Sequence, residues 1–419
     1  RGLGDVYKRQ KGGLSVQKQN KKTGAGRRLL CLFISGVFLF GTLLLGVLLF
    51  ALPQQTFSPR ENRVLQTLPK ATAEGVFSGK WQEQFNTFTA DQLAGRSTLT
   101  AFGNNFLYLL GRRDLNGTYI GKGPDGEFRF FETPPQTDRS SQNLAALAAF
   151  AEKAKGAELT LMLCPSAGSV YTGCLPRFAT PFSSAQQQQK AQQALGGRAL
   201  NLLPALQAAA AENGSLYFKT DHHWTVQGAY TAYLAYCRAQ GFTPAKGAGE
   251  FETLSHSFLG TLYAKTLLYG TKPEALERTR LNTDGVTVQV AAAGGYCQSG
   301  QTVAGTLQPA QLYRPEALQQ SDEYQYFLGG NAGLAVLENQ SLTGGQTLLV
   351  FKDSFANCFA PFLTAHYRRV ILLDARYFKG NLSAVLREFA PQKLLALYES
   401  NNFAADNRLA PLLNGFTGH

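Results

Sequence analysis

Histidine is scarce in this chain of 419 residues, with five in all. No H-x-x-x-H or C-x-x-C pair occurs, which removes the commonest spacings of a zinc site. Six cysteines follow no regular pattern. Cys31 falls in an apolar run, and Cys164, Cys174, Cys237, Cys297 and Cys358 form an odd set beyond it. A Cys164–Cys174 bridge is one option in an oxidising compartment, an accessory in a chain of this length and no framework. No G-K-[ST] follows the glycine-rich turn at Leu328-Gly-Gly-Asn331, so a phosphate loop is not expected there. Acidic residues are outnumbered 28 to 40 by Lys and Arg, for a net charge of +12. That excess is not a groove. Residues 1–28 carry nine Lys/Arg against Asp5, a net of +8, which leaves +4 for the other 391 residues. Nucleic acid is therefore not an expected partner.

After residue 52 no second long apolar run appears. Before it, Leu29 to Leu52 is a stretch of 24 uncharged residues rich in Leu, Phe, Val and Gly. That length spans a bilayer and exceeds the apolar core of a cleavable signal peptide. Positive charge on its N-terminal side predicts a signal anchor, with residues 1–28 cytoplasmic and the remainder outside. The first ten residues, RGLGDVYKRQ, open on Arg, read as a fragment, and are left out of fold reasoning. Residues 53–75 read as a linker. Residues 76–419, within a chain that is 44% hydrophobic, are expected to form one extracytoplasmic domain with an insertion or β-rich excursion at 241–320.

Helical periodicity over Lys80–Arg113 puts Trp81, Phe85, Phe88, Leu93, Leu99, Phe102, Phe106 and Leu110 on one apolar stripe. Gly117–Glu127 is a chain of turns between short strands. Helices are expected at 140–155, 197–212 and 225–240, and strands at Glu158–Cys164 and Ser215–Phe218. The last third alternates regularly: strand Thr347–Phe351, helix Phe355–Thr364, strand Arg369–Leu373, helix Leu382–Phe389, strand Lys393–Tyr398. Such β-α-β alternation predicts an α/β protein with a mostly parallel sheet and helices on both faces, its function gathered at the carboxyl ends of the strands.

Two stretches carry chemistry. In Lys219-Thr-Asp221-His222-His223-Trp224-Thr225, an extended backbone would turn Asp221 and His223 to one side and His222 to the other. A carboxylate two residues from an imidazole is the orienting half of a Ser-His-Asp device. Capping, packing or metal ligation by the same residues are the competing readings, although adjacent His side chains diverge. The serine to match is Ser354, on the turn between strand 347–351 and the following helix. There Oγ is exposed over the sheet and the helix N-terminus offers free N–H groups, as in an oxyanion hole. A plain N-cap is the alternative. Arg376, Asn401 or Asn402, and Asn331 follow other strand ends or turns and could bind an anion or a substrate. For each, a structural role is the competing reading.

FKTDHHWTVQGAYTAY resembles the signature of the DHHW family, and FSPRENRVLQTLP, FLGGNAGLAVLEN, LLVFKDSFANCFAPFLTAHY and LLDARYF fit it as well. The resemblance runs from about residue 57 to 405. The family is similar to the proteins that O-acetylate alginate, and so to SGNH hydrolases. That implies a flavodoxin-like α/β/α sandwich and a triad of Ser354 as nucleophile, His223 as base and Asp221 as orienting acid. Two departures stand out. The Asp-x-His precedes the serine, as in the alginate proteins, and Lys352 stands where common SGNH enzymes have the Gly of Gly-Asp-Ser. The implied function is that of a membrane-anchored O-acetyltransferase or acetylesterase without a cofactor. Its partners would be an acyl donor, a polysaccharide acceptor, the membrane through residues 29–52, and a membrane-bound acyltransferase or export complex. A catalytically degenerate carbohydrate-binding scaffold is the alternative, and a metal enzyme at Asp221/His222/His223 a third.

Overall fold

The computed structural model describes residues 25–154, 156–213, 215–291, 303 and 306–416. Most of the basic tail, and Cys297, lie outside these. Two compact units separate: residues up to 56 together with 65–96, and residues 57–64 together with 97 onward.

In the first unit, α1 (Ala25–Ala51) carries no acidic side chain, and its residues 26–51 are long and apolar enough to cross a membrane. At about 1.5 Å per residue it exceeds the ~30 Å hydrocarbon core. After a single helical turn at Ala73–Phe77, the helix α2 (Lys80–Asp91) packs on the extended stretch before that turn, held by Trp81 Nε1 donating to the Pro69 carbonyl at 3.2 Å and by Gln66 N donating to Asp91 Oδ2 at 2.8 Å.

The stripe expected over 80–113 does not behave as one buried face. The chain breaks near Gly95, whose φ of 74° suits only glycine at low cost. In the second unit, α3 (Arg96–Leu109) exposes the apolar side that the periodicity points inward: Leu99 is 53% and Phe102 66% exposed. Its inner side is polar. Asn104 Nδ2 donates to the Thr266 carbonyl at 2.8 Å, and Asn105 Oδ1 accepts from Tyr269 N at 2.9 Å, so these amides fasten the turn at 266–269.

A hairpin comes next, β1 (Thr118–Lys122) with β2 (Phe128–Glu132). Then follow α4 (Ser140–Lys153), β3 (Glu158–Cys164), α5 (Ser184–Leu195), β4 (Ala199–Leu200), α6 (Leu203–Asn213) and α7 (Val226–Gln240). A second hairpin, β5 (Phe251–Phe258) and β6 (Glu274–Thr279), encloses the short helix α8 (Thr261–Thr266). The chain continues through β7 (Val286–Ala291), β8 (Leu307–Ala310), β9 (Leu334–Asn339), β10 (Thr347–Lys352), α9 (Ala356–Thr364), β11 (Arg369–Leu373), α10 (Leu382–Phe389), β12 (Lys393–Glu399), α11 (Ser400–Ala405) and α12 (Leu409–Asn414).

One eight-stranded sheet has the order β8-β7-β9-β11-β10-β12-β3-β4. The five strands from β11 to β4 are parallel, and β9, β7 and β8 add antiparallel to that edge. The parallel pairing expected from the last third therefore holds for five of the eight strands, and the three-stranded antiparallel edge makes the sheet mixed. Strands buried on both sides read as continuous apolar runs, and β10 and β12 do so. Leu348, Val350, Leu395 and Leu397 pack on one side with α7 and α9. Leu349, Phe351, Leu394 and Ala396 pack on the other with α4, α10 and α12. The helix expected at 197–212 starts at Leu203, because Ala199–Leu200 is spent as the edge strand. Ser215–Phe218 is no strand and makes only an isolated bridge, Tyr217 to Trp224. Cys164 and Cys174 are free thiols.

Candidate active site

The loop between α6 and α7 folds back on itself. Thr225 N donates to the Leu216 carbonyl at 2.9 Å and Phe218 N to the His223 carbonyl at 3.2 Å, which lifts residues 219–222 out as a bend. Thr225 then caps α7, its Oγ1 accepting from Gly228 N at 3.2 Å. Gly228 is required by the close approach: a Cβ there would lie 2.1 Å from the Leu216 carbonyl oxygen.

The backbone of the motif is bent rather than extended, so the pairing of Asp221 with His223 has another origin. Asp221 Oδ1 accepts the His223 backbone N–H at 2.9 Å, an Asx turn, and the His223 Nδ1 proton at 2.5 Å. Asp221 Oδ2 accepts the Thr261 N–H at 2.7 Å and its hydroxyl at 2.8 Å. Both carboxylate oxygens are filled in a residue only 1% exposed. Burial opposes the charge, but His222, His223 and these hydrogen bonds outweigh it and hold the Asp221 carboxyl well below its ordinary range.

With Nδ1–H donated to Asp221, His223 Nε2 is left as the acceptor, and it faces Ser354 Oγ at 2.7 Å. Ser354 lies just after β10 and just before α9. The turn is tied down by Asp353, fully buried. Its Oδ1 accepts from Phe355 N at 2.9 Å, and its Oδ2 accepts from Glu399 N at 2.8 Å and Asn402 Nδ2 at 2.9 Å. Neighbouring groups hold this arrangement. Trp224 Nε1 donates to the Phe355 carbonyl at 3.0 Å, and Tyr324 stacks on the His223 ring at 3.8 Å between centroids. Among the described residues the Ser354 N–H has no acceptor.

His222 does not point away from its neighbours. Its ring lies 3.8 Å from that of His223, and its Nδ1 is 2.8 Å from Thr261 Oγ1. The bend, which an extended strand lacks, is the cause. Because the Thr261 hydroxyl is already donated to Asp221, His222 Nδ1 must be the donor. Burial and the adjacent His223 lower the His222 pKa, which favours this neutral form. The carboxylate and imidazole atoms of 221–223 lie within 4.8 Å of one another, as a metal site would require. However, both Asp221 oxygens are already hydrogen-bonded, so an ion would have to displace the Thr261 and His223 donors.

The remaining candidates stand apart from this group. Arg376 is committed to Asp374, with Nε donating to Oδ1 at 2.9 Å and Nη2 to Oδ2 at 2.7 Å, so the ion pair accounts for it. Asn331, itself exposed, has its Oδ1 3.3 Å from both the buried Lys352 Nζ and Asn357 Nδ2. Asn401, 7% exposed in α11, bonds neither Ser354 nor His223, and its Oδ1 has no partner. Asn402 is spent on Asp353. Sequence reasoning missed Thr261, Tyr324 and Glu274. Glu274 Oε1 accepts from Thr220 N at 2.7 Å and from Thr220 Oγ1 at 2.5 Å, and Oε2 accepts from Lys219 N at 2.8 Å, clamping the two residues before Asp221. No local pattern marks any of the three.

The fold and its mixed sheet define an SGNH-hydrolase-like domain, preceded in the chain by one apolar helix. Residues 127–290 match the family described as the SGNH hydrolase-like domain of acetyltransferase AlgX, a span that includes Asp221 and His223 and stops short of Ser354. Among solved structures, a DHHW family protein from Eubacterium siraeum is 20% identical with a TM-score of 0.55, over 73% of this chain and 97% of that one. Bacillus cereus PatB1 is 20% identical with a TM-score of 0.54, over 70% and 99%. The same protein with a sulfonyl adduct gives 19% and 0.53, over 70% and 98%. Comparison with curated proteins gives no match.

Proposed function

We propose that this chain is a membrane-anchored acyl-ester enzyme, an O-acetyltransferase or acetylesterase acting on a cell-envelope or secreted polysaccharide. The observation that carries the reading is the relay of short contacts from Asp221 through His223 to Ser354 Oγ, at 2.5 and 2.7 Å. His223 takes the hydroxyl proton as Ser354 Oγ attacks the carbonyl carbon of an acetyl ester. The tetrahedral oxyanion is stabilised by the Ser354 N–H and the first turn of α9. Collapse expels the donor's alcohol, which leaves with the proton from His223, and Ser354 holds the acetyl group. A sugar hydroxyl, deprotonated by His223, then attacks the acyl-enzyme and releases O-acetyl sugar and free Ser354; with water the product is acetate. The AlgX family description supports acetyl as the group transferred. Residues 29–52 anchor the chain, and 76–419 work outside the membrane, where a membrane-bound acyltransferase or export complex supplies the donor.

Turnover of 4-nitrophenyl acetate by the detergent-solubilised chain tests this. Ser354→Ala should lower the rate roughly 10⁴-fold or more, and a fluorophosphonate should label the unmodified chain at Ser354. Equal turnover by the variant would refute the assignment. Absence of both turnover and labelling would leave a polysaccharide-binding role.

A further inference from the structure

The motif FSPREN, far from the triad in sequence, belongs to the second unit and not to the linker around it. Phe57–Ser58 pairs antiparallel with Arg63–Val64, Glu61 N donates to Ser58 Oγ at 3.2 Å, and Ser97 Oγ donates to Glu61 Oε1 at 3.0 Å. This small hairpin presents Pro59, Arg60 and Asn62 at its tip, and the tip is one wall of an open cleft of about 450 Å³. The size is that of a small-molecule or oligosaccharide site.

The other walls are two segments that also support the triad. One is Ser257–Ala264. It lines the cleft with Ser257, Leu259 and Tyr263, while Thr261 within it donates twice to Asp221 Oδ2. The other is Leu318–Glu323, which runs directly into Tyr324, the residue stacked on the His223 ring. The cleft therefore adjoins the acid side of the triad and shares its supports.

Its chemistry is neither apolar nor of one charge. Among the described residues the side chains of Arg60, Asn62, Gln319 and Gln320 have no hydrogen-bond partner in the protein. Glu323, only 5% exposed, accepts from Ser257 Oγ at 2.8 Å through Oε1, while its Oε2 has no partner. A buried carboxylate oxygen left unpaired is costly. Amides, one guanidinium, a carboxylate and a half-buried tyrosine ring together suit vicinal hydroxyls and the apolar face of a pyranose. They do not suit an acyl chain or a phosphate.

We propose that this cleft is the acceptor subsite for a glycan chain, with Arg60, Asn62, Gln319 and Gln320 taking its hydroxyls and Tyr263 its ring face. The proposal rests on the acyl-transfer reading of Ser354. It gives FSPREN a function: the motif carries acceptor recognition to the domain that holds the nucleophile.

The test uses the full chain in detergent with 4-nitrophenyl acetate as donor and three acceptors: cellopentaose, a chitosan pentamer and pentagalacturonate. The ratio of acetylated oligosaccharide to free acetate is read by mass spectrometry. In Arg60→Ala and in Gln319→Ala/Gln320→Ala that ratio should fall at least tenfold for the oligosaccharide the unmodified chain accepts. An unchanged ratio overturns the proposal, as does a chain that turns over the donor yet acetylates none of the three. Calorimetric titration of the same oligosaccharides needs no turnover and separates the cleft from the triad. Binding that weakens at least tenfold in these variants upholds the subsite even if Ser354 proves inert, and binding that is absent or unaltered refutes it.

Discussion

Lys352 offers a direct measurement of the buried network under the serine turn. It ends β10, two residues before Ser354, and is 2% exposed. Its Nζ reaches Asn357 Oδ1 at 2.5 Å and Asn331 Oδ1 at 3.3 Å, and among the described residues no carboxylate forms an ion pair with it. Burial lowers its pKa from 10.5 to about 8, against the attraction of Asp374 and Asp353 and with help from Arg376. A shift of that size corresponds to about 3 kcal/mol at ~1.36 kcal/mol per unit. Below pH 8 the ammonium is held in both the folded and the unfolded chain, and stability does not depend on this group. Between pH 8 and about 10.4 the unfolded chain keeps the proton and the folded chain has released it, so stability rises with pH. In Lys352→Met that rise disappears. At pH 7 the variant loses the buried charge but leaves Asn357 Oδ1 unpartnered, a cost of about 1–3 kcal/mol, so the two effects nearly cancel. The discriminating quantity is thus the slope. Urea unfolding at pH 7 to 10.5 in detergent, followed by tryptophan fluorescence, should show the unmodified chain gaining about 3 kcal/mol on the variant across that window. Parallel curves would mean that Lys352 is solvated or paired, and the buried network beneath the serine turn would be wrong.

Two further substitutions probe the supports of the triad. A Cβ on Gly260 would lie 2.2 Å from Asp221 Cβ and 2.5 Å from its Oδ2, so Gly260→Ala must push the carboxylate off His223. Esterase kcat should fall at least tenfold while the near-ultraviolet circular dichroism stays that of the folded chain, and full activity would show that Asp221 is not held as described. Glu274→Gln replaces an acceptor of three donors by a group with one acceptor oxygen and an N–H₂ that meets N–H. Hydrogen bonds to a charged group contribute about 1.5–3 kcal/mol each, so a loss of one predicts a fall in kcat of roughly ten- to a hundredfold. KM for a small ester should be unchanged, since among the described residues the Glu274 carboxylate bonds Lys219 and Thr220 and neither Ser354 nor His223, and a change in KM alone would contradict the positioning role.

What was legible in the sequence was what short-range physics determines. Glu158–Cys164, Arg369–Leu373 and Leu382–Phe389 have the predicted bounds, because an apolar run closed by Pro165, or an Asn381 cap before a 3.6-residue period, needs no distant partner. The stripe on α3 misled for the opposite reason. Periodicity reports that one side is apolar but not which way it turns, and here the long-range bonds of Asn104 and Asn105 to residues 266–269 decide the orientation. The antiparallel edge of the sheet was invisible on the same ground, since β9 and β11 pair across a crossover.

The site divides along the same line. Asp221, His223 and Ser354 could be singled out because acyl transfer accepts few residue types in those roles. Their supports are not restricted in that way. Any donor can fill Asp221 Oδ2, any carboxylate can clamp Thr220, and any flat ring can cover His223. Thr261, Glu274 and Tyr324 do this work from 40, 54 and 101 positions beyond the residues they hold, and three segments converge on one imidazole. The residues that react are thus constrained by chemistry, while those that position them are constrained only by where the fold delivers a hydrogen bond or a surface. For the same reason the cleft formed by Arg60, Tyr263 and Gln319 could be recognised only once the fold had brought those three segments to one place.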